Sequence, residues 1–517
     1  MKKYLIFLFL IFVLAYFLRV MFLPSRALTF GYDQARDAVN ATQIAYGHLK
    51  IFGPPASQPG LFHGALYYYV LAPAYLFGQG SPLVAGYWVA FINSLTLLVV
   101  FYLGYLMTKK VSVGLLAAFL FAISFEATQY ATWLSNPTLG ILTVSLMYLG
   151  LWMWINPTSL KLRWARWVPI IAAIGLGLSI QSEIFLIYHI IPLAIWLWIG
   201  RKNITRKQLT TFVIILLLTL STMVMAQLKF GLGATLTAVR QLSTSSDPNL
   251  AYAKSIGDYA ILYLNQIGRI FSFNSYPGNA GYGGGLVIAL ILYSFFAYAK
   301  NAKKKIIDPR IFLCSWLISH LSVVTVGGTS TPFLMVGIGP AVSLLIAMFL
   351  GQWWNKNYKI VVIALLVILT FANISMIMKE NSKGSTLFSI QSEMTLAHEL
   401  PAIDYTYQES KGKPFAINTI TSPLWVNIVW TYLYNWYGQP KYGYVPYWSG
   451  KGQEGQLVSL PKATSHLENN FLIIEPLGGI PTRFVDETIG EMNSYTTLIS
   501  KKNFGEIVVE KRIGSKN

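Results

Sequence analysis

The chain has 517 residues, 54% of them hydrophobic and 11% charged, with a mean hydropathy of +0.51. Soluble domains carry roughly 25% charged residues, so an ordinary soluble protein is excluded and lipid must cover much of this chain. The net charge of +19 is carried by the first 379 residues, which hold 27 Lys/Arg against 7 Asp/Glu, whereas residues 380–517 hold 12 against 13; short cytoplasmic loops collect cations in this way, and nucleic acid is set aside as a partner.

A membrane-crossing helix needs about 20 mostly apolar residues. In chain order the apolar runs are 4–22, 83–107, 111–125, 137–155, 167–182, 184–200, 209–228, 284–299, 311–326, 333–351 and 359–378, which predicts about eleven spans. The first is long for a signal peptide and has no small-residue cleavage site, so a retained anchor is expected. Cations cluster at Lys2–Lys3, Lys109–Lys110, Lys161–Arg166, Arg201–Lys207, Lys300–Arg310 and Lys356–Lys359. With eleven spans all six clusters fall on one side, which the positive-inside rule makes the cytoplasm. A multi-pass plasma-membrane protein with a cytoplasmic N-terminus is predicted.

Three segments then lie outside: 24–82, 229–283 and 380–517. In the first, "ARDAVNATQIAYGHL" and "LFHGALYYYVLAPAYLFG" read as two helices lying in the interface, with the tyrosines at 67–69 suited to an aromatic belt. In the last, "KPFAINTIT", "NNFLIIEP" and "GEIVVEKRI" read as strands and "WVNIVWTYLYNWYG" as an aromatic helix. The predicted fold class is an α-helical polytopic membrane protein, with a transmembrane domain over 1–379 and a small extracytoplasmic α/β domain over 380–517.

The seven acids before residue 380 are Asp33, Asp37, Glu126, Glu183, Asp247, Asp258 and Asp308. A carboxylate at membrane depth is costly, which makes each a functional candidate. Asp33 and Asp37 are four apart and share a helix face, with Arg36 beside them. Their segment, "YDQAR", resembles the Tyr-Asp-Glu-x-Arg pattern of the polyprenyl-phosphate-sugar glycosyltransferases of the GT-C superfamily, which include protein O-mannosyltransferases and aminoarabinose transferases. Arg19 matches a family arginine near the outer end of the first helix. "HGALYYYVLAP" is similar to the family's His/Lys-Pro-Pro-Leu-Tyr segment and places His63 at a phosphate-binding cation, and "TPFLMVGIGPAVSLLIA" is similar to a late family helix. Gln34 replaces the family's second acid, Gly64 and Ala65 replace its proline pair, and Thr331, Pro332 and Phe333 stand where an Arg/His-Tyr pair is usual.

The resemblance implies a sugar donor on a polyprenyl phosphate and an acceptor that is a glycan, a lipid or a protein. It implies an inverting displacement with Asp33 as general base and Asp37 as a second acid or sugar ligand. Arg36, His63 and Arg19 would hold the donor phosphate, Arg19 alternatively holding the helix–loop junction. Lys229, Arg240 and Lys254 are further cation candidates. Glu126, Glu183 and Tyr67 are candidate sugar or acceptor contacts. No metal motif stands out, and no obligatory metal is expected, although a divalent cation is compatible with the acids. The rival readings are a polysaccharide polymerase or flippase, and a transporter, whose cavity would centre at the membrane midplane.

Overall fold

The structure, a computed structural model, describes residues 2–56, 61–157, 166–231, 233, 236, 255–276, 280–301, 307–322, 332–388, 393–451, 457–464, 467–478 and 480–515. Arg240, Asp247, Lys254 and Thr331, and the cations at 161, 163 and 303–305, lie outside these residues. The chain is mostly helical. The first part runs through α1 (Lys2–Val20), α2 (Tyr32–Ala45), a hairpin of β1 (Phe52–Pro55) and β2 (Phe62–Gly64), α3 (Leu66–Phe77), α4 (Pro82–Thr108), α5 (Val111–Ala122), α6 (Phe125–Ala131), α7 (Gly140–Ile155) and α8 (Val168–Ser182). It continues with α9 (Ile190–Ile199), α10 (Arg206–Thr219), α11 (Ser221–Phe230), α12 (Ile256–Asn274), α13 (Ala280–Asn301), α14 (Pro309–Leu317), α15 (Gly339–Asn355) and α16 (Lys359–Glu380).

Among the described residues four helical stretches are each long and apolar enough to cross a membrane: Tyr4–Ser25, Pro82–Thr108, Asn136–Ile155 and Lys359–Lys383. Two bent pairs qualify together, α5 with α6 at 58° and α10 with α11 at 60°. Shorter apolar helices at Val168–Ser182, Ile184–Ile199 and Gly283–Phe296 coincide with other predicted spans. The first bend has a local cause: Ser124 interrupts the run and its Oγ accepts the Ala127 N–H, starting a new helix. Side chains on α1 and α16 face outward, Phe371 and Ile360 among them, as on helices that lipid covers.

The two helices expected in the first loop form, as α2 and α3. The C-terminal region is built on a five-stranded sheet ordered β4–β3–β5–β7–β6, with β3 Phe415–Ile420, β4 Tyr447–Trp448, β5 Asn469–Ile474, β6 Thr496–Phe504 and β7 Ile507–Gly514. β3 is parallel to β4 and β5, and the other pairings are antiparallel. Helices α17 (Leu396–Ser410), α18 (Ile428–Leu433) and α19 (Thr482–Tyr495) complete the region. β3 is buried throughout, as a parallel strand covered on both faces should be.

The C-terminal region is anchored to the first loop. Phe30 N–H donates to the Met394 carbonyl and Leu396 N–H to the Leu28 carbonyl, at 2.9 and 3.0 Å, so a short antiparallel strap joins the lead-in of α2 to the start of α17. One hydrophobic core runs through both, with Phe30, Tyr67 and Leu71 packed in the same cluster as Leu400, Trp430 and Phe471.

Candidate active site

α2 starts at Gly31, whose N–H donates to Gln34 Oε1 at 3.0 Å, while Gln34 Nε2 donates to the Leu134 carbonyl at 3.2 Å. The neutral residue in "YDQAR" thus fixes the first turn and ties it to the loop after α6. The helix then places Arg36 between two acids. Its Nη1 donates to Asp33 Oδ1 at 2.7 Å, and its Nε and Nη2 converge on Asp37 Oδ1 at 2.8 and 2.7 Å. The Asp33 side chain is 56% exposed and that of Asp37 1%, so only Asp33 can meet an incoming molecule directly. Asp37 Oδ2 is buried with no hydrogen-bond partner among the described residues.

These surroundings set the charges. Burial works against the Arg36 cation, but Asp37 and then Asp33 outweigh it and hold the guanidinium above its ordinary value. Burial pushes Asp37 up to about 7, against the pull of Arg36 and with a further push from Asp33. Burial, then the Arg36 charge, pushes His63 down to about 3, so its ring is neutral.

Arg36 forms part of the wall of a cavity of about 770 Å³, within the range of small-molecule sites. Tyr32, Asn40, Lys50 and Tyr68 line it from the first loop, Lys229 and Phe230 from the end of α11, and Leu424, Trp425 and Leu457 from the C-terminal region. Three cations and no carboxylate face the cavity among the described residues. Asp33 is not part of the wall and is linked to it through Arg36. A wall of this kind favours an anion, and Arg and Lys donors suit phosphate oxygens.

The other predicted residues fall in three places. His63 is buried beside the site. Its Nδ1 accepts the Ile184 N–H at 3.1 Å, which puts the proton of the neutral ring on Nε2. It is therefore no phosphate-binding cation; at most it offers a neutral N–H. Glu183 packs against it, Oε1 lying 3.6 Å from Nδ1 and accepting the Phe185 N–H at 3.3 Å, which caps the turn into α9. Tyr67 is fully buried behind the wall and its hydroxyl has no partner among the described residues; its neighbour Tyr68 faces the cavity instead.

Arg19 and Glu126 stand apart. Arg19 is buried and donates to Asn93 Oδ1 at 2.8 Å and to the carbonyls of Ala15, Ala122 and Phe121 at 2.8, 3.1 and 3.4 Å. Its charge sits on the C-terminal turns of α1 and α5, where a helix dipole favours a cation, and the junction role fits this geometry. Glu126 accepts from Asn274 Nδ2 in a separate buried cluster that includes Ser124 and Asn373 and joins α6, α12 and α16. Asp258 closes a reciprocal cap with Ser255 at the start of α12. Among the described residues no three His, Cys, Asp or Glu side chains gather where they could hold a metal.

No protein-family model matches the chain. No curated protein matches it either. Among solved structures, ArnT from Cupriavidus metallidurans bound to undecaprenyl phosphate superposes with a TM-score of 0.59 at 10% identity, over 99% of this chain and 98% of that one. The apo form of ArnT gives 0.56 at 12% identity with the same coverage. The chain has the fold of ArnT. The match covers 99% of the chain, so the helical bundle, the helices of the first loop and the C-terminal region share one ArnT-like architecture.

Proposed function

We propose that the chain is a membrane glycosyltransferase that moves a sugar from a polyprenyl-phosphate donor to an extracytoplasmic acceptor. The observation that carries this reading is the wall of Arg36, Lys50 and Lys229 beside the solvent-open carboxylate of Asp33, in a fold shared with a protein solved with undecaprenyl phosphate. The "YDQAR" resemblance points the same way.

The acceptor hydroxyl gives its proton to Asp33 as its oxygen attacks the anomeric carbon. The bond from that carbon to the phosphate oxygen breaks, and the polyprenyl phosphate leaves with the electron pair. Inversion follows from a single displacement. The charge that develops on the leaving phosphate is met by Arg36, with Lys50 and Lys229 in reach of the same cavity. Arg36 engages Asp33 through Oδ1 alone and keeps the acid oriented. Asp37, sealed behind Arg36, positions the guanidinium and does not touch the acceptor. A site at the outer loop and C-terminal region, away from the bundle centre, favours a transferase over a transporter.

The test is sugar transfer from a purified polyprenyl-phosphate-sugar donor in nanodiscs. Asp33→Asn keeps the size and the bond to Arg36 but cannot take the proton, and it should lower turnover on the order of 100- to 10,000-fold with donor affinity intact. Near-normal turnover in Asp33→Asn would remove it as the base.

A further inference from the structure

The C-terminal region contributes a half-exposed tryptophan to the cavity. Trp425 is 45% exposed, whereas Trp430 and Trp448 in the same region are buried. Its backbone φ is +63°, a conformation bulky residues rarely adopt and one that collects at ligand sites. The loop that holds it there is pinned on both sides. Ser422 N–H donates to Glu475 Oε2 at 2.8 Å, Trp430 Nε1 donates to Glu475 Oε1 at 3.0 Å, and Val426 N–H donates to Thr421 Oγ1 at 3.1 Å. This loop follows the C-terminal end of the parallel strand β3, the edge at which α/β sheets receive ligands.

The ring is also fixed. Phe484 and the indole meet in a T-shaped pair at 5.5 Å and 79°, and the Lys451 ammonium sits over one face of the ring, 4.7 Å from its centre. Lys451 borders a small space beyond the indole and does not line the cavity. Elsewhere in the cavity wall, Asn40 and Tyr68 supply an amide and a phenol.

We propose that Trp425 is the stacking platform for a pyranose ring in this cavity. A pyranose presents C–H groups on its faces and hydroxyls around its rim. A rigid, half-open indole suits the face, and the Asn40 amide, the Tyr68 phenol and the nearby cations suit the rim. The assignment rests on the glycosyltransferase reading, and the ring belongs to either the donor sugar or a glycan acceptor.

The test uses full-length protein in nanodiscs and three probes: undecaprenyl phosphate, a synthetic undecaprenyl-phosphate-hexose, and a panel of free oligosaccharides. Trp425→Asn removes the indole while keeping a residue that tolerates positive φ, and Trp425→Phe keeps an aromatic face. The asparagine variant should melt within a few degrees of wild type and bind undecaprenyl phosphate equally well. It should lose affinity for a sugar-bearing probe on the order of 10- to 100-fold, as truncated tryptophan anchors do, and the phenylalanine variant should recover part of that loss.

Loss confined to the lipid-linked hexose assigns the platform to the donor, and loss confined to the oligosaccharides assigns it to the acceptor. Sugar-probe affinities equal to wild type overturn the proposal, as does an equal loss for undecaprenyl phosphate, which would make the loop a general support of the site. Wild type that binds the lipid-linked hexose no better than undecaprenyl phosphate and binds none of the oligosaccharides also overturns it. If wild type binds oligosaccharides through Trp425 but neither lipid probe, the platform stands and the polyprenyl-phosphate reading falls.

Discussion

Asp33 and Asp37 bind the same guanidinium at 2.7 Å, yet one is open to solvent and the other is sealed. The sealed acid makes the stability of the site depend on pH. Asp37 titrates near 7 when folded, but an unfolded Asp titrates near 3.9. Between those values the folded chain holds a proton that the unfolded chain has lost. Stability therefore falls as pH rises through this window and levels off above it. His63 works in the opposite sense. Folded, it stays neutral down to about 3, whereas the unfolded ring takes a proton below about 6.5, so its contribution is lost as pH falls. The two slopes oppose each other in wild type and separate in single variants. Relative to wild type, Asp37→Asn should gain stability from pH 4 to 7 and then plateau in thermal melts of detergent-purified protein. A difference that stays flat with pH would mean that Asp37 is ionised throughout. Arg19 calls for a different measurement. Arg19→Leu strands Asn93 and the last carbonyls of α5, and should lower stability by about 2–3 kcal/mol. Its affinity for undecaprenyl phosphate should match wild type, because Arg19 is buried away from the cavity wall and spends four of its five N–H donors inside the protein.

Helix α2 presents the acids, and its own placement depends on the strap between 28–30 and 394–396. Gly384 is wedged beneath that strap: the Thr29 hydroxyl donates to its carbonyl at 2.9 Å, its φ is +76°, and a Cβ there would stand 2.6 Å from Ala27 Cα. Gly384→Ala should lose about 1–2 kcal/mol for the backbone conformation alone and more for the collision. Gly443→Ala, at φ +87° with nothing within 4 Å, isolates the conformational part. The melting temperature of Gly384→Ala should fall below that of Gly443→Ala, with a parallel fall in transfer activity. Equal melting temperatures would show that the strap yields easily. The same contrast explains what the sequence could reveal. α2 and α3 were legible because their patterns are local, and β3, β5 and β7 because their apolar runs are dense. β6 was missed because all but its first and last residues are exposed, with a polar "SKKN" run inside. α17 was missed because Pro401 and its acids mask the helical period. The acid–arginine motif was visible as a motif, but Lys50, Lys229 and Trp425 reach it from points far apart in the chain, and no local pattern encodes that convergence. A cation at a helix end reads the same whether it binds phosphate or carbonyls, and only the partners of Arg19 decide.

Across the whole molecule, the helices sort charge by direction. α1 runs from Lys2 to the first loop, and α4 runs from that loop to Lys109. α8 ends at Glu183 beside His63, α9 leads away to Arg201, and α10–α11 returns from Arg206 to Lys229 at the cavity. α16 runs from Lys359 to the C-terminal region, which is strapped to the first loop. The clusters at Lys109–Lys110, Arg201–Lys207 and Lys356–Lys359 thus lie at helix ends remote from the cavity. On the positive-inside rule the cavity and the C-terminal sheet are expected outside the cytoplasm, the side on which the proposed transferase would meet an external acceptor. The single native cysteine makes this directly measurable, because Cys314 is buried at 2% exposure. Glu506→Cys, in the exposed turn between β6 and β7, should react with a membrane-impermeant maleimide in intact spheroplasts. Lys202→Cys, in the exposed turn between α9 and α10, should react only after permeabilisation, and the unmutated chain should stay unlabelled throughout. The opposite labelling of the two variants would place the cavity in the cytoplasm and deny Asp33 any extracytoplasmic acceptor.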